Sequence, residues 1–326
     1  SSALGEQRRE QTLRAAERCD IAVVVCGATE DYVLEKSLLE GFVGRKVPIV
    51  VVLGKSDMLI SPEKRAEQVE RELGAKPLLV SATNRSGVAE LIDSLVRLRG
   101  DAKTTDSIVG SLVESGDRVV LVMPQDASAP KGRLILPQVQ TLRELLDRHC
   151  TPICCQPEEL EHTLAGLTEL PKLVITDSQV FGYVAERVPE GVALTSFSVL
   201  LACNKGDREA FMQGARVIDS LTERSRVLIA EACSHAPQTE DIGRVKLPRM
   251  LRQRVGEGLQ VDVVGGADFP ADLTPYDLVI HCGACMFTRS HVLSRLARAQ
   301  SACVPMTNYG FAIAHLQGIL GRVSLP

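Results

Sequence analysis

Short apolar runs alternate with amphipathic stretches from one end of the chain to the other, and that rhythm admits few folds. In the first part, "CDIAVVVCGAT", "KVPIVVVLGKSD" and "KPLLVSAT" each read as a buried parallel strand followed by a loop. Helical patterns separate them. "SPEKRAEQVERELG" opens on Ser61 as N-cap with Pro62 in the first turn and closes on Gly74, and "GVAELIDSLVRLRG" runs to Gly100. The polar "DAKTTD" reads as a linker. A second set of strands comprises "DRVVLVMP", "TPICCQ", "PKLVITDS" and "GVALTS", with the helix "PQVQTLRELLDRHC" among them. A third comprises "RVLIAEAC", "LQVDVVGG", "YDLVIHCG" and "CVPMTNYG", with helices "TRSHVLSRLARAQ" and "FAIAHLQGIL". The expected fold class is α/β, built of consecutive parallel-sheet βαβ domains over 1–100, 105–193 and 194–326. No internal repeat is visible.

Composition narrows the function classes. Aromatic residues make up 3% of the 326 residues, with no Trp, which suits helix-covered parallel sheets better than a β-sandwich. Thirty-seven basic residues against 41 acidic ones give a net charge of −4, which argues against a nucleic-acid partner. No run of about 18 uncharged apolar residues and no leader pattern is present, so no membrane association is expected. A cytoplasmic location is the corresponding expectation.

At the carboxyl ends of two strands in the first part stand "GKSD" (Gly54, Lys55, Ser56, Asp57) and "SAT" (Ser81, Ala82, Thr83). They resemble the guanine-reading N-K-x-D motif and the later S-A loop of Ras-like GTPase domains. The resemblance implies a partial guanine site of Lys55, Asp57, Ser81 and Ala82. Two departures stand out: Gly54 replaces the family's Asn, and these 326 residues contain no G-x-x-x-x-G-K-[ST] phosphate loop. The opening "ALGEQRRE" resembles the segment after switch II, so the reading is a GTPase domain without its phosphate-binding half. GTP hydrolysis by this chain is therefore not expected, and no catalytic residue is assigned.

Ten cysteines divide into two groups. Cys19, Cys26, Cys150, Cys154, Cys155 and Cys203 lie in or beside apolar runs without partner spacing and are expected to be small buried hydrophobes. Cys303 stands near the start of another apolar segment. The remaining three form a pattern: C-S-H at Cys233–His235, then 45 residues, then H-C-G-A-C at His281–Cys285. Both halves come directly after apolar strands, so a parallel sheet would bring them to one edge. Gly283 is expected to permit the tight path between the thiols, and a helix just after Cys285 to favour them through its N-terminal dipole. A Cys₃His zinc site, an iron–sulfur cluster with one iron open, and a dithiol redox pair are the three chemistries this donor set allows.

C-x-H followed by this gap and H-C-x-x-C resembles the HydF family, the [FeFe]-hydrogenase maturation GTPases. "APKGRLILPQVQTLRELLD", "LTSFSVLLACNKGD", "DIGRVKLPRML", "YDLVIHCGACMFTR" and "VPMTNYGFAIAHLQGIL" also look like family segments, in the family's order. The resemblance implies a GTPase domain, a dimerisation domain and a cluster-binding domain. It implies a [4Fe–4S] cluster on Cys233, Cys282 and Cys285, with His235 and His281 as candidate fourth ligand or as hydrogen-bonding neighbours. The cluster would host the di-iron precursor of the H-cluster, made with radical-SAM maturases and passed to apo-[FeFe]-hydrogenase. GTP and Mg²⁺ would belong to the intact family form, and the implied assembly is a homodimer. A zinc-stabilised structural protein of the same fold is the alternative.

Overall fold

A computed structural model describes residues 12, 15–16, 19–27, 32–45, 47–102, 107–125, 134–232, 242–266 and 268–326. Every sheet in it is parallel, and the chain divides into two compact units, Ser1–Asp106 and Ser107–Pro326. Among the described residues no helix is long and apolar enough to cross a membrane.

In the first unit β1 (Ala22–Cys26), β2 (Ile49–Leu53) and β3 (Leu78–Leu79) lie in the order β1-β2-β3. Each strand leads into a helix, Val33–Gly44, Pro62–Leu73 and Val88–Ala102 in turn. The second of these starts and stops as its sequence dictates. Pro62 occupies the first turn, where its missing N–H costs nothing, and Gly74 ends the helix at φ 71° with its N–H on the Glu70 carbonyl. Val24, Cys26, Phe42, Val51, Leu53 and Val69 form the core. β1 departs from the fully buried strand expected of it. It alternates, leaving Val23 and Val25 exposed at 41% and 61%, because it is an edge strand packed on one face.

The second unit holds two four-stranded sheets. β4 (Arg118–Val122), β5 (Thr151–Cys155), β6 (Leu173–Thr176) and β7 (Ala193–Ser196) are ordered β5-β4-β6-β7. β8 (Arg226–Ala230), β9 (Gln260–Val264), β10 (Leu278–His281) and β11 (Met306–Asn308) are ordered β9-β8-β10-β11. Both orders are the same when strands are counted from each sheet's own start: second, first, third, fourth. The repeat that the sequence hides is present in the topology. The expected start of the third part, residue 194, falls inside β7, whose register from Leu173↔Ala193 to Thr176↔Ser196 holds 193–196 in the middle sheet.

Helix Phe197–Lys205 joins the two sheets. Ser196 caps it, accepting from the Val199 N–H at 3.3 Å. Its Val199 and Ala202 enter one core with Val120 and Val174 of the middle sheet and Leu228 and Val279 of the last. Helix Arg208–Arg216 then packs against β11 so closely that a Cβ on Gly214 would stand 2.3 Å from the Met306 carbonyl oxygen. The obstacle is strand backbone, which cannot rotate away. Gly214→Ala is therefore expected to destabilise the chain by about 2–3 kcal/mol, read as a lower denaturation midpoint at unchanged slope.

Candidate metal centre

The last sheet places the cysteines by its connectivity. β9 lies on one side of β8 and β10 on the other, so the connections after β8 and β10 leave in opposite directions, which makes their carboxyl ends a topological switch point of the kind at which open α/β sheets bind ligands. Ala230 pairs with His281, and the Cys282 N–H donates to the Ala230 carbonyl at 3.0 Å. The C-x-x-C motif thus emerges beside the point where Glu231 and Ala232 leave β8. Cys233 and His235 lie outside the described residues, but the chain leading to them touches the motif directly: the Ala232 N–H donates to Cys282 Sγ at 3.0 Å. Among the described residues no three His, Cys, Asp or Glu side chains gather as a metal-binding group.

Cys282 sits in a prepared environment. Its Sγ accepts from Ala232 N–H and, at 3.4 Å, from Ala284 N–H. Burial pushes the thiol up to about 11, while these two amides pull the other way by favouring the thiolate. Without a metal the thiol therefore keeps its proton at neutral pH, and coordination would displace it. Cys285 is half-buried at the far end of the turn. The tight path between the two falls on Ala284, at φ 51°, and not on Gly283, whose φ is ordinary. Ala284 tolerates this conformation because its carbonyl is held.

Lys205 holds it. From the end of helix Phe197–Lys205 its ammonium donates to the carbonyls of Ala284 (2.8 Å), Cys285 (3.2 Å) and Phe287 (2.9 Å). Burial lowers its proton affinity, and negative charge on the Cys285 and Cys282 sulfurs, when they are thiolates, opposes that effect. The carbonyls of the loop thus turn toward an ammonium while an amide turns toward sulfur. The helix expected directly after Cys285 begins at Arg289, with Thr288 as its N-cap.

His281 is buried and engaged at both ring nitrogens. Nδ1 lies 2.8 Å from the Cys282 carbonyl oxygen, and Nε2 lies 2.9 Å from Arg295 Nη1. Asn308, at the end of β11, also donates to the Cys282 carbonyl, at 3.2 Å. Of the cysteines expected to be buried, Cys26, Cys150 and Cys155 are, whereas Cys19 and Cys203 are half-buried. Cys154 is exposed because β5 is an edge strand and its pleat turns that residue outward.

The first unit brings its own predicted residues together. β2 pairs with β3, so "GKSD" and "SAT" leave adjacent strand ends, and the Ser56 N–H reaches the Val80 carbonyl at 3.2 Å. Lys55 is left-handed at φ 55° and, like Asp57 and Ala82, exposed, whereas Ser81 is fully buried. The "SATNRSG" loop closes through three hydrogen bonds, Ser81 N–H to the Ser86 carbonyl, Asn84 N–H to Ser81 Oγ and Ser86 N–H to Asn84 Oδ1. Gly87 ends it at φ 71°, where a Cβ would strike the Leu79 carbonyl oxygen at 1.9 Å.

Sequence reasoning missed Lys205, Arg295 and Asn308. Lys205 and Asn308 stand in quoted segments, "LACNKGD" and "VPMTNYG", yet nothing local to them points at a carbonyl some 80 or 26 residues away.

These features define a parallel α/β protein with a C-x-x-C loop at the point where the strand order reverses. Residues 108–206 match the Hydrogen maturase F dimerization domain and residues 209–326 the Hydrogen maturase F tetramerization domain. The chain belongs to this HydF family of hydrogenase maturation proteins and carries both of its oligomerization domains. No curated protein matches it.

Proposed function

We propose that this chain is a scaffold and carrier in [FeFe]-hydrogenase maturation, holding a [4Fe–4S] cluster on Cys233, Cys282 and Cys285. The observation that carries the reading is Cys282 Sγ receiving two backbone N–H groups, one of them from the residue before Cys233. Two thiols at C-x-x-C spacing, amides aimed at sulfur and a lysine behind the loop suit an anionic thiolate-bound centre. When bound, a three-cysteine cluster supplies an iron open to an exchangeable ligand, the attachment point for the di-iron precursor. The protein's part is to hold the thiols and exclude competing donors. Residues 108–206 supply the homodimer surface, and the cargo comes from radical-SAM maturases and goes to apo-hydrogenase.

Anaerobic reconstitution of the chain tests this. About four iron and four sulfide per chain, with an EPR signal on reduction, are expected; one zinc with no sulfide would replace the carrier by a zinc-stabilised structural protein.

The first unit acts in this reading as a partial guanine site. Lys55, Asp57, Ser81 and Ala82 share one sheet edge, but the phosphate cradle that supplies much of a nucleotide's affinity is absent from the sequence. Calorimetry on this chain is expected to detect no GTP binding in the micromolar range; a micromolar Kd would contradict the assignment.

A further inference from the structure

Beside the C-x-x-C loop lies a buried cation that the cluster reading does not use. Arg295, on helix Arg289–Ser301, is 3% exposed, yet it reaches two other segments at once. Nη1 points to Nε2 of His281, the last residue of β10, and Nη2 donates to the Gly266 carbonyl after β9 at 2.5 Å. The guanidinium also faces two rings, Phe269 at 4.8 Å and Phe287 at 4.9 Å. Contact with two aromatic rings suits the planar, delocalised guanidinium better than a compact ammonium.

The two contacts of His281 fix its proton by elimination. A guanidinium has donors only, so the ring nitrogen facing it must present a lone pair. That nitrogen is Nε2. A carbonyl oxygen accepts only, so Nδ1, facing the Cys282 carbonyl, must carry the hydrogen. A metal ligand needs a free imidazole lone pair. The one lone pair of His281 is already committed to Arg295.

We propose that Arg295 is a positioning residue: it locks His281 as the Nδ1–H tautomer, takes it out of the ligand set, and turns it into a brace for the Cys282 backbone. The brace works together with Asn308, whose side-chain amide reaches the same carbonyl at 3.2 Å and is itself fixed by the Ser198 hydroxyl and the Gly310 N–H on its Oδ1. With that carbonyl held from two sides, Cys282 Sγ is directed at the amides of Ala232 and Ala284. The tautomer rests on contacts within the chain; the exclusion of His281 from ligation rests in addition on the cluster reading.

The test uses the full chain with ¹⁵N-labelled histidine. In the metal-free protein, NMR should show one histidine with protonated Nδ1 and bare Nε2, whose signals vanish in His281→Asn. A protonated Nε2 on that residue overturns the lock. In reconstituted protein, pulsed EPR of wild type and His281→Asn should show the same nitrogen couplings and the same iron and sulfide content, since the asparagine amide can replace the Nδ1–H donor. Loss of a histidine-nitrogen coupling in the variant makes His281 a ligand and overturns the proposal. Arg295→Met should shift the His281 Nε2 signal toward the protonated position; an unchanged signal removes Arg295 from the role. If that variant fails to fold, the first two measurements still decide. If wild type takes up no iron and sulfide, the cluster reading fails on its own while the metal-free spectrum still tests the lock.

Discussion

Cys282→Ser and Cys285→Ser are each expected to abolish iron and sulfide retention after anaerobic reconstitution, from about four of each per chain to near none. Serine is the informative replacement because it is nearly isosteric and remains an acceptor. The Ala232 and Ala284 amides that now reach Cys282 Sγ would find an oxygen in its place, so the loop keeps its partners. The loss is of a donor whose proton a metal can displace and which binds soft metal, since the thiolate is the ligating form. Fold stability should therefore hold while the metal goes. Cys154→Ser and Cys303→Ser serve as controls, both being exposed thiols outside the two thiol motifs; they should retain full iron and sulfide. Iron and sulfide assays beside thermal denaturation separate the cases. Retention of a full cluster by Cys282→Ser would place the centre elsewhere in the chain.

The sequence told most about features that are local and least about those that come from convergence. Strands β8 and β10 were legible as apolar runs, and the C-x-x-C motif as the loop at the carboxyl end of β10, because a strand end and its loop are contiguous. The same holds for "GKSD" and "SAT", which sit on the ends of neighbouring strands. Lys205 and Arg295 were not legible, since each acts across a fold-level approach between segments that share no periodicity. Ala284 illustrates a different failure. Glycine is the residue expected at positive φ, but a held carbonyl and a nearby sulfur acceptor stabilise an alanine there instead. Edge strands account for the exposed Val25 and Cys154, because an apolar run does not reveal which strand will close a sheet. The matching order of the second and third sheets was hidden for a related reason: order is set by the direction of each crossover, which composition does not encode.

Acid should destabilise the metal-free protein through His281. Burial, with the Arg295 charge acting the same way, holds this imidazole down at about 3, against its ordinary 6.5. At pH 7 the ring is neutral in both folded and unfolded chains. As the pH falls below 6.5 the unfolded chain takes up a proton that the folded site refuses, and this continues until about pH 3. Stability is thus present above 6.5 and is lost through that window, at up to about 1.4 kcal/mol per pH unit. Between pH 7 and pH 4 the loss from this one group is on the order of 3 kcal/mol, a large share of the 5–15 kcal/mol or so typical of a domain. Carboxylates titrate in the lower part of the same range, so the comparison must be with His281→Asn, which keeps them all. The variant should begin less stable at pH 7, because the Arg295 guanidinium loses its acceptor, and should fall less steeply on acidification. Urea midpoints measured at intervals from pH 7 to pH 4 would show the two curves converging. Parallel curves would mean that the imidazole takes up its proton inside the fold, which the contact with a buried guanidinium forbids.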